Sequence, residues 1–299
     1  MSWTGDKDIS DTITEISKKQ RNELVRDMAY NRKRDIERLL DMDPVIIYDP
    51  FIEVGNTCYI EVLTDDKRPI IIKNDGEYYH KPTKTVINSD IVDGYIRTRY
   101  AKDERSLMEN KFCYDRLDET IIHELFHYIS FEMNPVESNR EPFRTYIEEG
   151  KATFCTNIMI KESVDNLLLS IKHNARHQKY LRNKLNSLDK NNPNRTETLF
   201  RYQVNPGYTL GDLAALGIHY NTTDEKMKRI NSVMDLARFN SAKIQHELLD
   251  MAEIGIDMYK KKYVMNTPRL PADVSPRKLD EIVENELRQI IYKFPILVS

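Results

Sequence analysis

Glycine is scarce in this chain, with nine residues in 299, and there is a single tryptophan. So little glycine, with no internal repeat and no low-complexity stretch, excludes collagen-like, linker-like and solenoid architectures. Cys58, Cys113 and Cys155 are too few and too widely spaced for a disulfide framework, so a reducing, cytoplasmic environment is expected. No apolar run approaches the roughly 18 residues of a membrane helix, and the amino-terminal region is polar and charged rather than signal-like, so no membrane partner is expected. A net charge of -3 argues against nucleic acid as the main partner. What remains is 40% hydrophobic and 31% charged, the composition of a globular chain long enough for one large core or two modest ones.

Against this plain background one segment stands out, Thr120-Ile121-Ile122-His123-Glu124-Leu125-Phe126-His127-Tyr128. Histidines four residues apart on a helix lie one turn apart on one face, so their ring nitrogens can converge on one tetrahedral metal ion, and zinc is the usual occupant. The flanks build the helix that this needs. At about 100° per residue, with His123 at zero, His127 falls near 40° and Glu124 near 100°, while Ile121, Ile122, Leu125, Phe126, Tyr128 and Ile129 occupy the arc from about 140° to 300°. One face packs and the other coordinates.

A catalytic zinc usually takes three protein ligands and keeps one position open. The continuation that would supply a third histidine is absent, because Tyr128 through Pro135 contain neither His nor Gly. Downstream the chain reads Tyr146-Ile147-Glu148-Glu149-Gly150-Lys151-Ala152, with Glu149 22 residues after His127. HExxH followed by Glu-Gly-x-Ala on a second helix resembles the gluzincin zinc metallopeptidases over residues 115–160. Periodicity alone does not separate Glu148 from Glu149. The resemblance does, and implies one zinc ion held by His123, His127 and Glu149 with a water as fourth ligand. It also departs from many members of the family, since the position four residues after the ligand glutamate, usually Asp, is Thr153 and supplies no charge.

The resemblance implies amide hydrolysis of a peptide or protein substrate, most naturally by an endopeptidase. Zinc lowers the pKa of its water, and Glu124 is the general base that takes the proton and hands it to the leaving amine. The second oxyanion donor in this family is a Tyr or His further downstream. Here Val204-Asn205-Pro206-Gly207-Tyr208-Thr209-Leu210-Gly211 is similar to the family's Tyr-x-x-Gly helix start, so Tyr208 is the candidate, with His219 and Tyr220 behind it. The same ion and base would equally serve hydrolysis of a non-peptide amide, and a chain keeping the fold and metal could instead act by binding a partner.

The expected fold class is α+β, with a small, mostly antiparallel sheet packed on the HExxH helix and a mainly α-helical carboxy-terminal half. Residues 1–44 read as a helical arm, from apolar positions such as Ile13, Leu24, Val25, Met28 and Ile36 at helical spacing. Residues 45–160 read as the sheet plus the zinc-binding helices, with strands at Val45 to Tyr48, Cys58 to Leu63, Ile70 to Lys73, Thr85 to Ile87 and Tyr95 to Tyr100. By the family resemblance, an edge strand near Ile96 to Tyr100 would hold an extended peptide. Residues 161–299 read as a helical subdomain closing the cleft, with breaks at Asn191 to Asn194 and Asn205 to Gly207, a helix entrance at Thr222 to Glu225, and a final helix from Ser275 to Tyr292 before an apolar tail. His173 and His177 repeat the four-residue spacing without a following acid, among Lys172, Asn174 and Arg176, and read as a solvated helix face.

Overall fold

The structure, a computed structural model, describes residues 18–40, 52–55, 58–63, 69–74, 76–80, 83–99, 104–133, 142–190, 192, 194–237, 241–266, 285 and 287. Helix α1, Lys18–Leu39, buries a stripe of Val25, Ala29, Lys33 and Ile36. Strands β1 (Ile52–Gly55), β4 (Gly76–His80) and β5 (Thr83–Asn88) form a three-stranded sheet in the order β1-β5-β4, and β2 (Cys58–Leu63) pairs with β3 (Pro69–Asn74). β1 runs parallel to β5, with Ile52 opposite Thr85 and Gly55 opposite Asn88. β4 runs antiparallel to it, with Gly76 opposite Ile87. The sheet meets α1 and the helix that follows β5, and Asn22 of α1 accepts a hydrogen bond from the Val54 amide at 2.6 Å.

The expected α+β class, a mostly antiparallel sheet against the HExxH helix, does not hold. The described residues are overwhelmingly helical, and the pairing that joins β1 to β5 is parallel. The clearest local difference is the run from Tyr95 to Tyr100, expected as a strand, whose described residues Tyr95 to Arg99 lie in helix α2, Ser89–Arg99. Its β-branched composition suggested extension, but burial follows the helical repeat, with Ile91, Val92 and Ile96 inside. Asn88 starts the helix by accepting from the Asp90 amide at 2.9 Å. Among the described residues, the edge strand expected to hold a peptide near Ile96 is therefore absent from Ile96 to Arg99. The expected strand at Val45 to Tyr48, most of the expected final helix and the apolar tail lie outside the described residues.

Helix α3, Glu104–Met133, contains neither Gly nor Pro and runs unbroken through the HExxH segment. Arg32 of α1 clamps it with a two-pronged ion pair to Asp118, at 2.7 and 2.5 Å, and Asp118 pushes the Arg32 pKa upward. Tyr114 lies against Tyr95 of α2 with ring centroids 5.4 Å apart. The chain divides into two compact units, Met1–Glu61 with Ile71–Ile129, and Val62–Ile70 with Ser130–Ser299.

The second unit is built on helices α4 (Pro142–Met159), α5 (Val164–Ser187), α6 (Asn194–Gly217), α7 (Thr223–Ala237) and α8 (Ser241–Asn266). α6 is its axis, with α4, α5 and α8 packed on it. Asn205-Pro206-Gly207, expected as a break, lies inside α6 instead. A proline removes the amide that would bond the carbonyl four residues back, here that of Tyr202. Gln178 of α5 donates to that carbonyl at 3.0 Å, and Asn205 donates to the Gln178 side chain at 3.0 Å, so the gap is filled from the neighbouring helix. Higher on α6, buried Asp212 accepts from Asn157, Ser170 and Asn174 at 2.8, 2.6 and 3.0 Å, which ties α4, α5 and α6 together. At the start of α7, the expected helix entrance, Thr222 and Glu225 form a capping box. Among the described residues no helix is long and apolar enough to cross a membrane.

Candidate metal centre

The stripe expected from the α3 sequence is buried. Ile121, Ile122, Leu125, Phe126, Tyr128 and Ile129 are each no more than 2% exposed. His123 and His127 are half-buried on the other face, with Glu124 buried between them in sequence. The two imidazoles stand nearly perpendicular, at 81° with centroids 4.7 Å apart, and their Nε2 atoms are 3.1 Å apart. Two nitrogens bound to one tetrahedral zinc at about 2.05 Å would be about 3.3 Å apart, so this pair, which is also within hydrogen-bond distance, is close to the separation such an ion requires.

Glu149 completes the set. One ligand atom from each of His123, His127 and Glu149 lies within 4.8 Å of the others, so this group could hold a metal ion. Two half-buried imidazoles and a carboxylate are a borderline donor set that suits a divalent transition metal, and three donors leave one tetrahedral position unfilled by them.

Glu149 sits on α4 where that helix lies close against α6. A Cβ added at Gly207 would stand 2.6 Å from the Tyr146 carbonyl and 2.8 Å from Glu149 Cβ, and one added at Gly211 would stand 2.6 Å from the Gly150 carbonyl. These glycines let the α6 backbone lie directly against the helix turn that carries Glu149. Tyr208 follows Gly207 and is half-buried in mid-helix, not at a helix start. His219 and Tyr220 lie beyond the end of α6, with Tyr220 65% exposed. Thr153, one turn after Glu149, has a buried hydroxyl with no hydrogen-bond partner among the described residues.

Periodicity left Glu148 and Glu149 unseparated, with only the family resemblance favouring Glu149, and sequence reasoning overlooked Lys151. Lys151 is fully buried and donates to Glu148 at 2.6 Å and to Ser130 of α3, and Ser130 also donates to Glu148, at 3.2 Å. The signal was present in the spacing. Ile147, Lys151, Phe154, Cys155 and Ile158 form one helical stripe, so Lys151 occupies a core position. His173 and His177 of α5 stack at 6.2 Å, and burial together with His173 lowers the His177 pKa.

No protein-family model, no curated protein and no solved structure matches this chain. The reading of the centre is carried by its own residues.

Proposed function

We propose that this chain is a zinc-dependent peptidase of the gluzincin type, cleaving peptide bonds within its substrate. The observation that carries this reading is the convergence of His123, His127 and Glu149, with Glu124 buried beside the two imidazoles on the same helix. When bound, zinc supplies a polarised water whose pKa falls toward neutrality. Glu124 would be the base that accepts a proton from such a water and passes it to the departing amine. The helix stripe behind it, from Ile121 to Ile129, holds the Glu124 backbone in place and keeps bulk water from that side. Tyr208 is the candidate donor to the developing oxyanion, carried by an α6 turn that lies against the Glu149 turn. Loss of such a donor lowers turnover by about 100 to 1000-fold, so Tyr208→Phe is expected to fall in that range with metal content unchanged.

A second reading, hydrolysis of a non-peptide amide by the same residues, is favoured by one observation. The run expected to align an extended peptide, Ile96 to Tyr100, is helical through Arg99.

Metal analysis and digestion of a peptide library, with wild type and Glu124→Gln side by side, separate these readings. The expected result is one zinc per chain in both proteins and cleavage only in the wild type. Bound zinc without cleavage of any peptide, but with activity on small amides, supports the second reading. Bound zinc with neither activity points to a partner-binding protein, and absence of zinc overturns the metal centre.

A further inference from the structure

Lys151 has no exposed surface, yet it carries a charge, and that charge is matched within its own cluster by Glu148. The cluster is placed next to the candidate ligands. Ser130 follows His127 by three residues on α3, while Glu148 immediately precedes Glu149 and Lys151 follows it by two on α4. Separating a buried cation from its counter-ion leaves an uncompensated charge in a low dielectric, so burial of Lys151 ties Glu148 to it. A metal ion moving onto Glu148 would have to displace the ammonium or sit beside it, and like charges repel strongly away from water. Adjacent residues on a helix point about 100° apart, so anchoring Glu148 toward Lys151 and Ser130 also fixes the direction in which Glu149 leaves the helix.

We propose that Lys151, together with Ser130, is a positioning residue that decides which of two neighbouring glutamates serves the metal. It occupies Glu148 and thereby assigns coordination to Glu149. The inference rests on the metal-binding part of the preceding reading and does not depend on the reaction catalysed.

The test uses the full-length protein and cobalt(II), whose visible absorption reports its donor set as well as its affinity. Glu149→Gln is expected to weaken cobalt binding by about 100-fold or more while Lys151 still holds Glu148. Adding Lys151→Met to Glu149→Gln releases Glu148, and about tenfold of the lost affinity is expected to return, with an absorption band again indicating a carboxylate donor. A merely structural role for Lys151 predicts the opposite, a further loss in the double variant. Lys151→Gln, which keeps a donor for Ser130, replaces Lys151→Met should that variant not fold. No recovery in the folded double variant overturns the inference and leaves the metal centre standing. Wild-type cobalt affinity in Glu149→Gln overturns the inference and removes Glu149 from the metal centre as well. A wild-type protein that binds no cobalt overturns both.

Discussion

The Gln178 side chain donates to the Tyr202 carbonyl at 3.0 Å, the acceptor that Pro206 leaves without its helical donor. One amide on α5 thus allows α6 to pass through a proline and carry Gly207 and Tyr208 onward to the Glu149 turn. Gln178→Leu is expected to destabilise the protein by about 1–3 kcal/mol, the usual cost of stranding a buried carbonyl. Pro206→Ala restores a backbone amide at that position, so in the double variant part of the loss should return. Urea unfolding of the two single variants and the double variant measures the coupling, and simple additivity would remove the compensating role of Gln178.

Glycines in different helices should respond to alanine with opposite signs. At Gly207 the added methyl meets the Tyr146 carbonyl and Glu149 Cβ, so Gly207→Ala is expected to cost about 1–3 kcal/mol and to weaken metal binding as well. At Gly94 the nearest atom to an added Cβ is Cys113 Sγ at 3.7 Å, an ordinary contact. Gly94→Ala should therefore stabilise, by about 0.5–1 kcal/mol, through lost chain entropy in the unfolded state. Thermal melts of the pair check both signs.

Cys155 is fully buried, and burial pushes its thiol up to about 12, against a smaller opposing pull from Lys151. The folded state thus holds the proton more tightly than the unfolded chain, whose thiol ionises near the ordinary value of about 8.5. Its contribution is complete below the unfolded pKa and falls as pH rises toward the folded one. Between about pH 9 and 12 stability should fall by up to about 1.4 kcal/mol per pH unit from this group, and Cys155→Ala should flatten that part of the profile. Alkylation by iodoacetamide at pH 8 offers a second check. The half-buried Cys113 is expected to react ahead of Cys155.

Metal should stabilise the fold through the three ligands and not through the second histidine pair. Zinc at about 100 times its dissociation constant is expected to add about 2.7 kcal/mol, seen as a raised melting temperature that a chelator reverses. His123→Ala and Glu149→Ala should abolish that shift, whereas His173→Ala should retain it. Equal loss in all three would place the metal elsewhere.

What the sequence disclosed followed from how local each signal was. The α3 stripe and the helix entrance at Thr222 to Glu225 are written within a few residues, and both are found as read. The ligand set His123, His127 and Glu149 was named from spacing and family pattern, and those residues come together. Tyr95 to Tyr100 misled because β-branched composition was weighed above the helical spacing of Ile91, Val92 and Ile96, whose burial selects α2. Pro206 misled because its compensation comes from Gln178 on another helix, which no local window contains. The roles of Glu148 and Glu149 are equally non-local, since Ser130 and Lys151 hold Glu148 from two different helices.

A methyl group at Gly217 would meet the Met251 carbonyl, and one at Gly255 the Leu213 carbonyl, so α6 and α8 touch backbone to backbone. A saturation library screened for folded protein should return almost nothing but the parental residue at these two positions. Any redesign around the candidate metal centre would then have to leave that seam untouched and draw its variation from outward-facing positions of α6.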